Sequence, residues 1–289
     1  MFVGSATAMV TPFKNGEIDY ESFGKNIDFQ INNGTAALII CGTTGEPSTM
    51  STEEQKNLVE FAVNRVDGYV PIIAGTGGNN TAEVIKKAKI FKKIGADAQL
   101  CVTPYYNKTT QDGLVAHYTA IADNTELPVV MYNVPGRTGL NMLPETVAKL
   151  ADHENIVAHK EACADMVQAS EMMRLIGDKI TIYSGMDELT YPLMCLGGKG
   201  VISVVSNLLP AEMSSLALNY LDGNAKEALN MQLKLFPIIK AIFKQTSPTP
   251  IKAAMAMKGM CSAEVRLPLI QLSNEELAAL KKIVDSLGV

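Results

Sequence analysis

Apolar positions gather in eight short runs separated by amphipathic stretches. The runs are residues 6–10 (ATAMV), 36–41 (AALIIC), 70–74 (VPIIA), 98–102 (AQLCV), 128–132 (PVVMY), 156–160 (IVAHK), 180–184 (ITIYS) and 200–205 (GVISVV). Each is about a strand long and nearly unbroken, the pattern of a strand buried on both faces. The stretches between them carry helix boundaries. Ser51 followed by Glu54 reads as a capping box, Asn80 with Glu83 offers a similar start, and Gly34, Gly95 and Gly177 stand where helices should stop. Strands alternating with helices at roughly 30-residue spacing predict an α/β fold, a (β/α)8 TIM barrel. The alternative, an open doubly wound sheet, usually carries a GxGxxG or phosphate loop. Neither occurs: Gly75-Thr76-Gly77-Gly78 lacks the spacing, and Gly198-Lys199 lacks a following Ser or Thr. Beyond the eighth run the pattern turns helical, through residues 233–243 (LKLFPIIKAIF) and a terminal segment capped by Ser273 and Glu276. The expected organisation is a barrel catalytic domain over residues 1–223 and a C-terminal α-helical extension over 224–289.

Composition removes several function classes. The chain has 289 residues and a formal net charge of −5, with Lys and Arg scattered, so it has no nucleic-acid footprint. The densest basic run, Lys86 to Lys93, reads as the solvated face of a helix. Five cysteines with no CxxC pair argue against a disulfide framework or a zinc site, and for a reducing compartment. Three histidines without HxxxH or HExxH spacing argue against a metal hydrolase. The N-terminal stretch has no basic leader and is too short to span a membrane, so it reads as a first strand. A cytoplasmic protein without a membrane segment is expected.

The chemistry follows from the barrel. In this architecture the active site lies at the carboxyl ends of the strands. The second run is followed by Gly42-Thr43-Thr44-Gly45-Glu46 and the fourth by Thr103-Pro104-Tyr105-Tyr106-Asn107. The fifth ends in Tyr132-Asn133-Val134-Pro135-Gly136-Arg137-Thr138, the sixth in Lys160-Glu161, the seventh in Ser184-Gly185, and the eighth carries Ile202-Ser203. One amine, two adjacent hydroxyls, a phenol and a guanidinium thus converge on one mouth. A desolvated lysine with a lowered pKa is a nucleophile towards carbonyls. A tyrosine and a threonine can move the protons that imine and enamine formation need. Glycines 42, 45 and 185 let backbone N–H groups approach a carboxylate. The set points to a carbonyl-activating lyase or aldolase acting on an α-keto acid.

GTTGE at 42–46, TPYYN at 103–107, YNVPGRTG at 132–139, KEA at 160–162 and GVISV at 200–204 resemble, in order and over essentially the whole chain, the dihydrodipicolinate synthase family. The KEA lysine and the GxTGE loop are shared with the wider pyruvate-lyase superfamily. The arginine of YNVPGRT points to the synthases rather than the sialic acid lyases. The resemblance implies that Lys160 forms the imine with pyruvate and that Tyr132 shuttles protons. It implies that Thr43 links Tyr132 to Tyr106 of a neighbouring subunit and that Thr44, with backbone amides, holds the pyruvate carboxylate. Arg137 would meet the carboxylate of the second substrate, L-aspartate 4-semialdehyde, and Gly185 and the Ile202 carbonyl would line the pocket. No cofactor or metal is implied, because the lysine supplies the electron sink. The partners implied are the two substrates and further copies of the chain, as a tetramer or dimer. The competing functions are cleavage of a keto-sugar acid and keto-acid binding without turnover.

Departures from the family pattern are informative. His159 stands where an apolar residue is usual. Strand alternation sends it, like Glu161, away from the barrel interior, which predicts a packing histidine without a catalytic role. Cys163, Ala164 and Asp165 replace the commoner Ser/Thr-Gly-Asn/Asp, and Met186 follows Gly185 where an acidic residue is frequent. Asn79, Glu83 and Tyr105 match the crevice that binds lysine in inhibited relatives. Pro47, Thr52 and Gln55 do not, so weak or absent inhibition by lysine is expected.

Overall fold

The computed structural model describes residues 1–287. Eight parallel strands close into a barrel: β1 (Gly4–Ala8), β2 (Ala37–Ile40), β3 (Ile72–Gly75), β4 (Ala98–Val102), β5 (Val129–Asn133), β6 (Ile156–Glu161), β7 (Thr181–Ser184) and β8 (Gly200–Ser203). All eight apolar runs are strands, and their spatial order follows the chain, with β1 pairing both β2 and β8. The helices α1 (Tyr20–Asn32), α2 (Thr52–Val66), α3 (Thr81–Ile94), α4 (Gln111–Asn124), α5 (Pro144–Leu150), α6 (Met166–Ile176), α7 (Thr190–Cys195) and α8 (Pro210–Leu221) form the outer layer. The capping box at Ser51 is complete in both directions. Asn80 caps α3 through its side chain alone, accepting from Ala82 and Glu83 N–H.

Alternation along each strand divides the core. Ala6, Ala37, Ile39, Ile73, Leu100, Val130, Ala158 and Ile202 fill the barrel interior. Their neighbours Met131 and Ile182 face outward and pack with Leu114, Tyr118 and Met172. The floor of the interior is aromatic. Tyr183 stacks on Phe2 with ring centres 4.1 Å apart, and its hydroxyl donates to the Phe2 carbonyl at 2.6 Å. Residues beyond 223 form α9 (Ala225–Ile242), α10 (Thr249–Met257) and α11 (Asn274–Ser286). Leu235, Ile238, Ile251 and Leu280 from these helices share one apolar cluster with Val201 of β8 and Leu216 of α8. The extension therefore packs directly on the last βα unit.

Two local features differ from the sequence pattern. The first run places a strand at 6–10, but β1 spans Gly4–Ala8. Met9 and Val10 stay apolar past the strand end because they enter two different helix-side clusters. A small hairpin follows, Phe13–Lys14 against Glu17–Ile18, turning at Asn15-Gly16 with both φ angles positive. An Asn-Gly pair is the usual signature of that turn.

Ala164 has φ 62° at the end of the β6 loop. A side chain in this left-handed region is strained where glycine is not. Ala164→Gly is expected to stabilise the protein by about 1 kcal/mol, less the entropy that glycine loses on folding. Thermal melting of the two proteins checks the sign.

Candidate active site

Lys160 ends the interior face of β6, and its cross-strand partners are Tyr132 on β5 and Tyr183 on β7. Parallel register puts these three side chains on one face; Tyr183 reaches down to Phe2, and the amine lies beside Tyr132. The Lys160 Nζ lies 4.3 Å from the centre of the Tyr132 ring. The lysine is 5% exposed. Burial pushes its ammonium down to about 7, the buried Asp187 carboxylate pulls the other way, and the Arg137 guanidinium adds to the depression. The amine is therefore substantially neutral, and so nucleophilic, near neutral pH.

Tyr132 is shifted in the opposite sense. Burial pushes its phenol up to about 12; Arg137 and the Thr43 side chain partly offset this, and Glu161 adds to it. The phenol therefore stays protonated near neutral pH, in a state that can donate a proton. Thr43 and Thr44 lie on a 3-10 turn, Thr43–Gly45, immediately after β2. Both line a cavity of about 180 Å3 together with Lys160, Tyr132, Arg137 and Gly185. Arg137 stands on a one-turn helix, Pro135–Thr138, and its Nη2 donates to the Ser247 carbonyl at 3.2 Å.

Most of the expected residues meet at this cavity; two do not. Ile202 packs inside the barrel, and the cavity wall at that strand end is Val204. Tyr106 is 92% exposed with φ 71°, away from Tyr132 within one chain. Tyr105 lines an adjoining cavity of about 290 Å3 with Thr43, Tyr132 and Arg137, so the mouth opens towards the Tyr105–Tyr106 loop. Asn79 donates to the Tyr105 carbonyl at 3.1 Å, bringing together two residues of the expected lysine crevice.

Several wall residues gave no strand-end signal. Glu188, Phe243 and Ser247 line the smaller cavity, the last two from the C-terminal extension. The Glu188 Oε2 is buried without a hydrogen-bond partner. Its place three residues past Gly185 was the available cue.

The outward residues of β6 have a structural role. The His159 ring is fully buried, and its Nε2 lies 3.2 Å from the Glu161 Oε2. Glu161 also accepts from the Asn133 side chain at 3.0 Å and the Cys163 N–H at 2.8 Å. Burial opposes ionisation of Glu161, but these bonds and His159 together hold its carboxyl below the usual range. His159→Val removes one partner of a buried carboxylate that keeps three others, Asn133, the Cys163 N–H and the Gln168 side chain. The expected result is a stability loss of about 1–3 kcal/mol with turnover near wild type, read from a melting curve and a kcat measurement. A large loss of kcat in folded protein would contradict it.

Gly185 is required by close approach. An added Cβ would lie 2.8 Å from Ala162 Cβ, 2.9 Å from Lys160 Cε and 3.0 Å from the Glu161 carbonyl oxygen. The lysine could swing aside only by leaving its place beside Tyr132. Gly185→Ala is expected to lower kcat/KM about 100-fold while the barrel still folds, which steady-state kinetics and circular dichroism check together.

A closed parallel barrel with a depressed lysine, a protonated tyrosine and a turn bearing two threonines at its mouth defines a Schiff-base-forming lyase. Comparison with known proteins is more specific. The sequence profile of the dihydrodipicolinate synthetase family matches residues 1–287, and the chain belongs to that family. The 4-hydroxy-tetrahydrodipicolinate synthase of Geotalea uraniireducens is 51% identical over 289 residues, covering 100% of both chains. The crystal structure of dihydrodipicolinate synthase from Thermotoga maritima superposes with a TM-score of 0.98 at 44% identity, covering 100% of this chain and 99% of that one. The chloride-inhibited dihydrodipicolinate synthase from Acinetobacter baumannii, complexed with pyruvate, gives 0.98 at 38% identity over 100% of both chains. Among the described residues no helix is long and apolar enough to cross a membrane, and no cluster of three or more His, Cys, Asp or Glu could hold a metal ion.

Proposed function

We propose that Lys160 carries pyruvate as an imine and condenses it with L-aspartate 4-semialdehyde, the 4-hydroxy-tetrahydrodipicolinate synthase reaction of the curated relatives. The observation that carries this is the Lys160–Tyr132 pair: a buried amine held near pH 7, 4.3 Å from the ring of a tyrosine that stays protonated. The neutral amine attacks the ketone carbon of pyruvate, and water leaves as the imine forms. Loss of a methyl proton gives the enamine, with Tyr132 and Thr43 moving the proton. The enamine carbon attacks the aldehyde. The amine of the semialdehyde then attacks the imine carbon, and Lys160 leaves as the ring closes.

In this reading Thr44, with its own backbone amide and that of Thr43, holds the pyruvate carboxylate. Arg137, exposed at the mouth and tethered to Ser247, takes the carboxylate of the semialdehyde. Gly185 leaves room beside Lys160. Tyr106 serves a second copy of the chain, completing a Tyr106–Thr43–Tyr132 relay in a dimer or tetramer. Its exposure and left-handed backbone are the support for that placement. Substrate profiling tests the function. Pyruvate with aspartate semialdehyde should turn over, and N-acetylneuraminate or a keto-deoxy-sugar acid should not be cleaved. Cleavage of the sugar acids without condensation would overturn the reading.

A further inference from the structure

Glu46 closes the GTTGE turn, yet nothing in the reaction calls on its carboxylate. It is 3% exposed and holds φ 56°, a left-handed conformation unfavourable for a side chain. Its Oε1 accepts from the Lys252 Nζ at 2.8 Å, and its Oε2 accepts from the Arg266 N–H at 3.0 Å. Lys252, on α10, is fully buried. It also donates to the Thr11 carbonyl at 2.9 Å and sits 4.4 Å over the Phe13 ring. The Thr11 hydroxyl donates in turn to the Gly45 carbonyl at 2.7 Å. Arg266 completes the grip, donating to the Thr49 carbonyl at 3.1 Å and to Glu54 at 2.6 Å.

A buried ion pair is weak evidence for stability, because apolar residues of similar volume often serve as well. Its position suggests a different use. The Glu46 N–H donates to the Thr43 carbonyl at 3.2 Å, so clamping Glu46 fixes the turn that presents Thr43 and Thr44 to Lys160. We infer that the Glu46–Lys252 pair is a positioning device through which the C-terminal extension holds the keto-acid-binding turn against the Lys160 amine. The inference rests on the reading that this turn binds the pyruvate carboxylate.

The test uses the full-length wild type, Glu46→Gln, and Glu46→Gln with Lys252→Met. In each, the pyruvate concentration that half-saturates borohydride trapping is measured, alongside KM for aspartate semialdehyde and the melting temperature. Glu46→Gln is expected to raise the pyruvate value about tenfold and leave the semialdehyde KM within about twofold. Removing both charges in the double variant is expected to restore the melting temperature but not pyruvate saturation. Three results overturn the inference: pyruvate saturation unchanged in Glu46→Gln, saturation restored along with stability in the double variant, or neither variant folding. Absence of trapping in the wild type would instead overturn the imine reading on which the inference rests.

Discussion

Lys160→Met is expected to lower kcat by about 1,000-fold or more and to remove pyruvate trapping, while leaving the protein at least as stable as wild type. The two halves have one cause. Lys160 is buried beside Tyr132, and burial brings its ammonium from 10.5 to about 7. An amine that is costly to protonate in the folded state is also one that is available to a carbonyl. Methionine keeps the length and removes the charge. The sign with pH is fixed. Below pH 7 both folded and unfolded chains carry the proton, and the native state bears the full cost of burying it. Between pH 7 and 10.5 the unfolded chain binds a proton that the native one has lost, so wild-type stability rises with pH. The stability advantage of Lys160→Met should therefore be largest at or below pH 7 and shrink towards 10.5. Melting curves across that range measure it. A variant less stable than wild type at pH 6 would show that the lysine is a structural cation.

Tyr132→Phe is the second large effect, and it should separate binding from turnover. Phenylalanine keeps the ring that Lys160 lies over and loses only the hydroxyl. The expected fall in kcat is about 100- to 10,000-fold, the usual worth of a positioned proton carrier. Pyruvate should still be trapped on Lys160 at equilibrium, more slowly than in wild type. Because the phenol is pushed up to about 12, it is protonated across the working range and should contribute no ionisation to the pH–rate profile near neutrality. Rapid-quench trapping with steady-state kinetics distinguishes the outcomes. Normal turnover in Tyr132→Phe would remove the tyrosine from the relay.

Much of the barrel was legible because parallel strands buried on both faces leave runs such as AALIIC and PVVMY that no other element explains. Alternation then gave the facing of Lys160, His159 and Glu161 without any tertiary information. His159 is the clearest gain from the structure. The sequence placed it outside the barrel, and the geometry supplies its partner, Glu161, two residues on along the same face of the strand. Strand ends were less legible, because Met9 and Val10 stay apolar for packing reasons after the ladder has stopped. The Asn15-Gly16 hairpin lies past the first run and is marked in the sequence only by its turn residues. The contributions of the extension were hidden for a different reason. Lys252 reaches Glu46 across 206 positions, and Ser247 reaches Arg137 across 110. Such contacts have no local periodicity. Tyr106 marks the limit of a single chain, since its expected partner, Thr43, would belong to another copy.

The central claim is that Lys160 forms an imine with pyruvate. Incubating the protein with pyruvate and borohydride, then digesting it and mapping peptides by mass, tests that claim directly. The predicted result is one stable adduct on Lys160, absent from Lys160→Met. No adduct, or an adduct on a different lysine, would contradict it.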